Sequence, residues 1–305
     1  MARPFPVIVN ATAGTGNGRD AAEELREHFA AAGAQVQVMV ARNGEDLSLL
    51  AKRAVREGHP VVIAAGGDGT INAVATHVAG SRSALGVLPM GTLNHFARDA
   101  GIPSELDAAV RTIVAGHRIR VDVGAVNGKV FLNNSSIGLY PTMVTRRDNR
   151  RRRQGSGKWT ALFWASLTVL RKHPMLDVEL HIDGATKSYR TPLIFIGNNE
   201  YVVEGPGAGR RSGLCDGKLA IYITRRHGRR GLVALALRAL VGSLRDALDL
   251  EALTASSVTI ATRRSHLPLA TDGEVNMMPT PLRYETRAGA LEVVVPAPEK
   301  EESAA

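Results

Sequence analysis

Residues 60–78 read PVVIAAGGDGTINAVATHV, and this stretch predicts the architecture of the first third of the 305-residue chain. Residues 60–65 are apolar without interruption, which is typical of a strand in a parallel sheet that is buried on both faces. The glycine-rich segment 66–70 follows, and residues 71–78 have a helical pattern. A strand, a glycine-rich turn and a helix in this order indicate an α/β unit, with the turn at the carboxyl edge of the sheet.

Strand-like and helical patterns also alternate on either side of this stretch. The strand-like residues 5–10 lead into a second glycine-rich segment, 10–18, and residues 85–88 lead into a third, 91–94. We therefore predict an open, mainly parallel sheet in an N-terminal α/β nucleotide-binding domain that spans residues 1–122. In such sheets, ligands bind at the carboxyl ends of the strands.

The pattern of the chain changes after this domain, because short β-rich runs replace the alternation. Val126-Asn127-Gly128-Lys129 is a strong hairpin signal, and Asp183-Gly184 lies between two further strand-like runs. Asn-Gly and Asp-Gly suit the two central positions of a tight hairpin turn. Residues 123–295 are therefore predicted to form a mainly antiparallel β domain, and residues 296–305 a disordered tail. Two domains of different class imply a cleft in which ligands bind.

Composition excludes several classes of protein. Hydrophobic residues make up 44% of the chain and charged residues 22%, which excludes wholesale disorder. One cysteine, Cys215, excludes a disulfide framework and a zinc module built from several cysteines. The glycine-rich segments lack the spacing G-x-G-x-x-G, which argues against a nicotinamide-dependent dehydrogenase.

The net charge of +9, from 38 basic and 29 acidic residues, favours anionic partners such as nucleotide phosphates and acidic lipid headgroups. Arginines cluster at residues 146–153 and 225–230, and the tryptophans Trp159 and Trp164 follow the first cluster. These clusters are interpreted either as solvated loops or as a surface for anionic lipid headgroups. No reader motif for nucleic acid accompanies them, so we expect no nucleic-acid partner.

No segment is predicted to cross a membrane or to direct export. Residues 159–170 are shorter than the roughly 20 apolar residues that span a bilayer, and charges interrupt residues 232–250. The N-terminus lacks the long apolar region of a signal peptide. We therefore expect a cytoplasmic protein that touches the inner face of the membrane without crossing it.

The three glycine-rich segments are candidate phosphate-binding loops. Glycine lets the backbone approach a phosphate closely, and N–H groups at the start of a helix carry partial positive charge. Asp68 would repel phosphate unless a divalent cation such as Mg²⁺ lay between them. Thr70, Thr92 and Asn94 offer hydrogen bonds to phosphate or ribose. The alternative is that these segments are tight turns between strand and helix, which is the better interpretation of residues 10–18 taken alone.

Five motifs, met in order along the chain, resemble those of the diacylglycerol kinase catalytic-domain family, which includes bacterial lipid kinases and sphingosine kinases. The first is the G-G-D-G-T block at residues 66–70, and the second resembles P-x-G-T-x-N-x-F-A-R at residues 89–98. The third resembles F-x-N-x-x-x-x-G at residues 131–138. The last two are D-G-x-L at residues 216–219 and D-G-E at residues 272–274.

The resemblance implies an α/β nucleotide domain followed by a β-sandwich domain whose C-terminal segment returns to the first. It implies ATP as co-substrate with Mg²⁺, Glu274 as the general base, and Asp68 as a second catalytic residue. The implied cofactor-binding residues are Asn10, Ala11, Thr12, Ala13, Gly14, Gly66, Gly67, Asp68, Gly69, Thr70, Thr92 and Asn94. The implied metal ligands are Asp216, through its side chain, and Gly213 and Lys218, through backbone carbonyls.

Two residues depart from the pattern of the family. A further motif of the family, before the five above, usually reads N-P-x-[SA]-G, and at residues 10–14 Ala11 replaces its proline. His95 stands where the block at residues 89–98 often has aspartate. The residues alone also leave other interpretations open. Without the resemblance, an ordinary hairpin turn is slightly the better interpretation of residues 272–274, and it is about as good as a metal loop at residues 216–217.

The expected function is that of an ATP- and Mg²⁺-dependent lipid kinase, which phosphorylates a hydroxyl of diacylglycerol or a related long-chain alcohol. The expected partners are this lipid and an anionic membrane surface, and a homodimer is also considered. One alternative is an NAD kinase, which shares the block at residues 66–70 but not those at 91–98 and 272–274. Another is a non-catalytic nucleotide-binding membrane adaptor that keeps the fold.

Overall fold

The computed structural model describes residues 3–11, 18–138, 175–202, 210–224 and 250–298. The chain divides into two compact units, the first made of Met1–Val123 with Ala288–Ala305 and the second of Gly124–Arg287. The first unit thus contains a C-terminal segment of the chain as well as the N-terminal residues.

The first unit alternates strands and helices. In chain order these are β1 (Phe5–Asn10), α1 (Gly18–Ala31), β2 (Val36–Ala41), α2 (Gly44–Arg56), β3 (Val61–Gly66), α3 (Asp68–Val78), β4 (Ala84–Pro89), α4 (His95–Asp99) and α5 (Leu106–Ala115). The four strands pair in parallel in the order β2-β1-β3-β4. Every residue of β3 and β4 is buried. This confirms the sheet covered on both faces that the apolar run in the sequence predicts.

Helix α2 shows how local sequence sets the limits and the orientation of a helix in this unit. The side chain of Asn43, just before the helix, accepts a hydrogen bond of 2.9 Å from the backbone N–H of Asp46. This bond satisfies one of the N–H groups that the first helical turn leaves without a partner. Leu47, Ala51 and Ala54 recur at helical spacing and are buried. The helix therefore turns one apolar stripe inward.

The second unit consists of antiparallel strands. They are β6 (Lys129–Phe131), β7 (Asn134–Gly138), β8 (Leu176–Ile182), β9 (Ala185–Thr191), β10 (Leu193–Asn198), β11 (Leu219–Thr224), β12 (Leu250–Ala255), β13 (Ser257–Thr262), β14 (His266–Thr271) and β15 (Glu274–Pro279). Two further strands, β5 (Arg118–Val126) and β16 (Leu282–Val294), contain the boundaries between the units.

Two antiparallel sheets make up this second unit. One has the strand order β12-β11-β10-β7-β14-β15, and in the other β13 pairs with β8 and with the first part of β16. Side chains from both sheets form one buried core, exemplified by Ile196 and Leu269 from the first sheet and Leu180 and Ile260 from the second. The unit is therefore a β-sandwich. The predicted fold class, an α/β domain followed by an antiparallel β-sandwich, is confirmed.

Both hairpins expected from the sequence are present. Asn127 and Gly128 have φ of 47° and 84° between β5 and β6, and Asp183 and Gly184 have φ of 49° and 79° between β8 and β9. Left-handed backbone at both central positions is the geometry that Asn-Gly and Asp-Gly tolerate best.

Among the helices in the described ranges, none is both long enough and apolar enough to cross a membrane. The arginine clusters at residues 146–153 and 225–230, and the tryptophans that follow the first, lie outside these ranges.

Candidate active site

The carboxyl ends of three parallel strands form one edge of the sheet in the first unit. The register pairs Val9 of β1 with Ala65 of β3, and Gly66 of β3 with Pro89 of β4. The turns that follow these strands therefore start side by side. Strand β1 has β2 on one side and β3 on the other, so the chain changes its direction of winding between β1 and β3. This is the point at which open α/β sheets leave a crevice for a ligand.

The turns after β3 and β4 touch each other through their backbones. A Cβ added to Gly91 would lie 2.5 Å from the Cα of Gly67, and the backbone N–H of Met90 donates to the carbonyl of Gly66 over 3.0 Å. A Cβ on Gly66 would in turn lie 2.6 Å from Oγ1 of Thr70. Gly91 is therefore required by the packing of its turn on the turn after β3, and Gly66 by the packing of Thr70 against its own strand end, before any ligand binds.

Asp68 links the same two turns. It is the first residue of α3, and its Oδ1 accepts the backbone N–H of Phe96 in α4 over 3.3 Å. Phe96 is buried and Asp68 is half-buried. A carboxylate at the start of a helix is also favoured by the helix dipole. The residue that the sequence suggested as a catalytic group thus has a structural contact as well.

Asn94 closes the turn after β4 on itself. Its backbone is left-handed, with φ of 47°. Its Oδ1 accepts the backbone N–H of Gly91 over 3.0 Å, and its Nδ2 donates to the carbonyl of Gly91 over 2.9 Å. That this amide binds phosphate or ribose stays a prediction. In the described structure it shapes the turn that would present Thr92, whose side chain is exposed.

The remaining predicted cofactor residues differ in their exposure to solvent, and some of them lie outside the described ranges. Asn10 and Ala11, at the end of β1, are half-buried. The backbone N–H of Ala11 donates to the carbonyl of Ala41 at the end of β2, over 2.8 Å. Gly69 is exposed, whereas Thr70 is buried. Three further predicted residues lie outside the described ranges: Thr12, Ala13 and Gly14.

In the second unit, Asp272 anchors the hairpin between β14 and β15. Asp272 and Gly273 are its two central residues, with φ of 46° and 85°. The carboxylate of Asp272 accepts backbone N–H groups from Leu132 over 2.7 Å, Asn133 over 2.8 Å and Asn134 over 3.0 Å. The third and fifth motifs, about 140 residues apart in sequence, are thus joined by one side chain.

A buried cation lies near this anchor. Arg211 is 8% exposed, and it donates to the carbonyl of Leu132 over 2.7 Å and to Oδ1 of Asn133 over 3.3 Å. Burial raises the pKa of the Asp272 carboxyl above its ordinary value, while the three amide donors and Arg211 lower it in part. The strand end and the hairpin are therefore held by a buried polar network, in which each removed partner is costly.

Glu274, the expected base, begins β15 directly after the anchored turn. Its side chain is 60% exposed, and its Oε2 lies 3.8 Å from Nζ of Lys129 in β6. The backbone of Glu274 is fixed by pairing with Thr271 across the hairpin. An exposed carboxylate on a rigid turn is accessible to a substrate hydroxyl, as a general base must be.

The expected metal loop places two of its predicted ligands, Gly213 and Asp216, side by side. A Cβ on Gly213 would lie 2.7 Å from Oδ1 of Asp216, so the carboxylate packs against the glycine backbone. The carbonyl of Lys218 accepts the backbone N–H of Asn199 over 3.0 Å, and a carbonyl oxygen has a second lone pair. A carboxylate with nearby carbonyls is a donor set that suits Mg²⁺. Within the described ranges, no group of three His, Cys, Asp or Glu side chains could hold a metal ion.

Two family models match the chain, one after the other. Residues 4–126 match the diacylglycerol kinase catalytic domain, and residues 136–295 match the YegS C-terminal NAD kinase beta sandwich-like domain. The chain belongs to the diacylglycerol kinase family. The order of the two matches agrees with the α/β unit and the β-sandwich described above, and it confirms the resemblance seen in the five motifs.

Curated relatives from this family include two staphylococcal diacylglycerol kinases. That of Staphylococcus aureus (strain bovine RF122 / ET3-1) is 31% identical over 199 residues, which are 65% of this chain and 62% of the relative. That of Staphylococcus carnosus (strain TM300) is 29% identical over 199 residues, 65% of this chain and 64% of the relative. The chain thus covers less than two thirds of the length of either relative.

Solved structures share the fold over most of their length. A putative diacylglycerol kinase from Bacillus anthracis str. Sterne aligns with a TM-score of 0.74 at 23% identity, over 96% of this chain and 97% of that one. Yeast NADH kinase complexed with NADH aligns with a TM-score of 0.53 at 11% identity, over 97% of this chain and 84% of that one. At these identities the likeness concerns the fold alone.

The sequence does not indicate the site contacts of three residues in the second unit of this diacylglycerol kinase family member. Arg211 contacts Leu132 and Asn133, and Lys129 contacts Glu274, although each is far in sequence from its partners. Lys129 is marked only as the end of a hairpin signal. Asn199 is 0% exposed with a left-handed backbone, φ 70°, and its side-chain amide has no hydrogen-bond partner within the described residues. An Asn-Asn pair after a strand is the signal that could have indicated a special backbone position there.

Replacing Asp272 by Asn is expected to lower the free energy of unfolding by about 2 kcal/mol. Asparagine tolerates the left-handed backbone. Both carboxylate oxygens of Asp272 accept backbone N–H groups, however, so the NH₂ group of asparagine would place a donor against one of these N–H donors. Urea denaturation measures the change. Asp183→Asn is the matched control, because Asp183 occupies the same position of another Asp-Gly hairpin, and we expect a change within about 0.5 kcal/mol. Equal losses in both variants would contradict the anchor.

Proposed function

We propose that this chain transfers the γ-phosphoryl group of ATP to a hydroxyl of diacylglycerol or a related long-chain lipid alcohol. The observation that carries the proposal is the match of residues 4–126 to the diacylglycerol kinase catalytic domain. Within that match lie the packed glycine turns at the carboxyl edge of β3 and β4. They offer backbone N–H groups where a parallel sheet receives phosphates.

The proposed nucleotide site uses the residues that follow β1, β3 and β4. Asn10 and Ala11 lie at the end of β1, Gly67 and Gly69 flank the start of α3, and Thr92 is the exposed hydroxyl of the third turn. Amides at the start of an 11-residue helix favour an anion. Asn94 contributes indirectly, because it fixes the turn that carries Thr92.

The proposed reaction needs a base and charge neutralisation. Glu274 takes the proton of the acceptor hydroxyl, and the oxygen of that hydroxyl forms a bond to the γ-phosphorus of ATP. At the same time, the bond between the γ-phosphorus and the bridging oxygen breaks, and ADP leaves with that oxygen. Mg²⁺, when bound, neutralises charge on the phosphates. We propose that Asp68 faces the Mg²⁺ that accompanies the phosphates. We propose a separate Mg²⁺ site within the second unit, made of the Asp216 side chain and the backbone carbonyls of Gly213 and Lys218.

An NAD kinase is the second candidate, because yeast NADH kinase shares the fold. The motif at residues 89–98, however, resembles lipid kinases, and so does the D-G-E block at residues 272–274. A lipid acceptor is therefore the better supported proposal.

We further propose that the protein binds the inner, cytoplasmic face of an anionic membrane as a peripheral protein. The support is the net charge of +9 and the arginines at residues 146–153 and 225–230. A basic residue near an anionic surface contributes about 1 kcal/mol to binding. A homodimer is compatible with this arrangement and remains a proposal from the sequence.

One experiment tests these proposals together. Labelled ATP is offered with diacylglycerol, ceramide, sphingosine, phosphatidylglycerol, polyprenol or NAD, the lipids being presented in neutral or anionic vesicles at low and high salt. We expect the label to appear in a lipid, and we expect the Asp68→Asn variant to lose this transfer. Transfer should be faster on anionic than on neutral vesicles, and high salt should abolish this difference in rate. Label in NAD alone would establish the second candidate. ATP binding without transfer to any acceptor would indicate a non-catalytic adaptor.

A further inference from the structure

Lys129 is the charged partner of the proposed base. Its Nζ lies 3.8 Å from Oε2 of Glu274, and the two side chains are 30% and 60% exposed. An isolated exposed pair of this kind stabilises a protein little, because ordering two long side chains costs conformational entropy. The backbones that carry this pair, however, are fixed at both ends of β6.

Asn127 fixes the start of β6. Its Nδ2 donates to the carbonyl of Pro279 at the end of β15 over 2.9 Å, and its Oδ1 accepts the backbone N–H of Arg283 over 2.8 Å. The backbone N–H of Asn127 donates to the carbonyl of Arg283 over 2.9 Å. One of these hydrogen bonds ties the turn before Lys129 to Pro279, the last residue of the strand that Glu274 begins. The other two tie the same turn to Arg283, near the start of the next strand, β16.

Asp272 fixes the opposite end. Its carboxylate accepts the N–H groups of residues 132–134, directly after β6, and its own backbone N–H donates to the carbonyl of Asn134 over 2.9 Å. Asp272 is also two residues before Glu274. Lys129 and Glu274 thus extend from two backbone segments joined on both sides of them, and only their side-chain dihedrals remain to be ordered. Such preorganisation is what a positioned catalytic group requires.

We propose that Lys129 is a positioning residue, which holds the Glu274 carboxylate in the orientation from which it takes the acceptor proton. This inference rests on the proposed function. Lys129 forms and breaks no covalent bond in the reaction. The proton passes from the acceptor hydroxyl to Glu274, the acceptor oxygen bonds to the γ-phosphorus, and ADP leaves. The ammonium group acts only through the carboxylate that it contacts.

Replacing Lys129 by Met tests the inference. We expect kcat for lipid phosphorylation to fall about tenfold, with the KM values for ATP and lipid changed less than about twofold, because binding contacts are kept. Lys129→Arg should restore most of kcat. The matched control is Lys187→Met, since Nζ of Lys187 also lies 3.8 Å from a carboxylate, Oε1 of Glu251, in the same unit. We expect it to leave kcat unchanged.

A double-mutant cycle separates a role through Glu274 from an independent one. In the Glu274→Gln background, Lys129→Met should cause no further loss, because its partner charge is already absent. A further tenfold loss there would show that Lys129 acts on the substrate directly and would overturn the inference. Full activity of Lys129→Met, with Glu274→Gln inactive, would overturn the inference alone. Full activity of both single variants would also refute the proposed base.

Discussion

Glu274→Gln is expected to lower kcat for lipid phosphorylation by between roughly 10²- and 10⁴-fold, the usual contribution of a positioned general base. Glutamine has the same shape as glutamate but cannot accept the proton of a hydroxyl at neutral pH. The side chain is 60% exposed, and the turn before it is held by Asp272 rather than by Glu274 itself. We therefore expect the free energy of unfolding and the affinity for ATP to stay unchanged. Steady-state kinetics, urea denaturation and calorimetric titration measure the three quantities.

Glu285→Gln is the matched control for this prediction. Glu285 is also an exposed acid of the second unit, 52% exposed, and it pairs with a basic residue, Arg287, over 2.7 Å. Glu285 lies in none of the five motifs, so the loss of its negative charge should leave kcat unchanged. Equal kinetic losses in the two variants would point to a general effect of negative charge on the β-sandwich. An unchanged kcat in Glu274→Gln would remove the proposed base.

The fold was predictable because it depends on signals that are local in the sequence. The apolar run before Gly66 gives a strand that is buried on both faces, and the register places it between β1 and β4. Asn127-Gly128 and Asp183-Gly184 adopt the left-handed backbone that tight hairpins need. In each case, a period or a pair of residues determines a conformation without help from distant parts of the chain.

The contacts of the site were not predictable, because they join residues far apart in sequence. Asp272 was expected to be only the start of a hairpin, yet its carboxylate binds the amides of residues 132–134. Lys129 was noted as the end of a hairpin signal, and its proximity to Glu274 follows from the pairing of strands. The role of Asn94 in binding phosphate or ribose stays a prediction. No sequence pattern, however, shows that the two polar atoms of its side chain bond to Gly91.

Gly91→Ala is the second change for which we expect a large effect. The added Cβ would lie 2.5 Å from the Cα of Gly67 and 2.7 Å from Oδ1 of Asn94, and contacts below 3.0 Å force atoms to move. The first neighbour is backbone of the adjoining turn. The second is the end of a side chain, but it is held in place because it accepts the N–H of Gly91 itself. Overpacking of this kind costs about 1–3 kcal/mol of stability.

The functional consequence of Gly91→Ala should exceed its effect on stability. A shift of about 1 Å between the two turns misplaces the amides proposed for the phosphates, and such misplacement costs about 10²-fold in kcat/KM. We expect that loss for ATP, with ATP affinity measured by calorimetry falling in parallel. The control is Gly44→Ala at the start of α2, where an added Cβ meets no atom within 4 Å. It should leave ATP affinity unchanged. If Gly91→Ala bound ATP as tightly as the native chain, the packed turns would only join strands to helices, and the nucleotide would have to bind elsewhere.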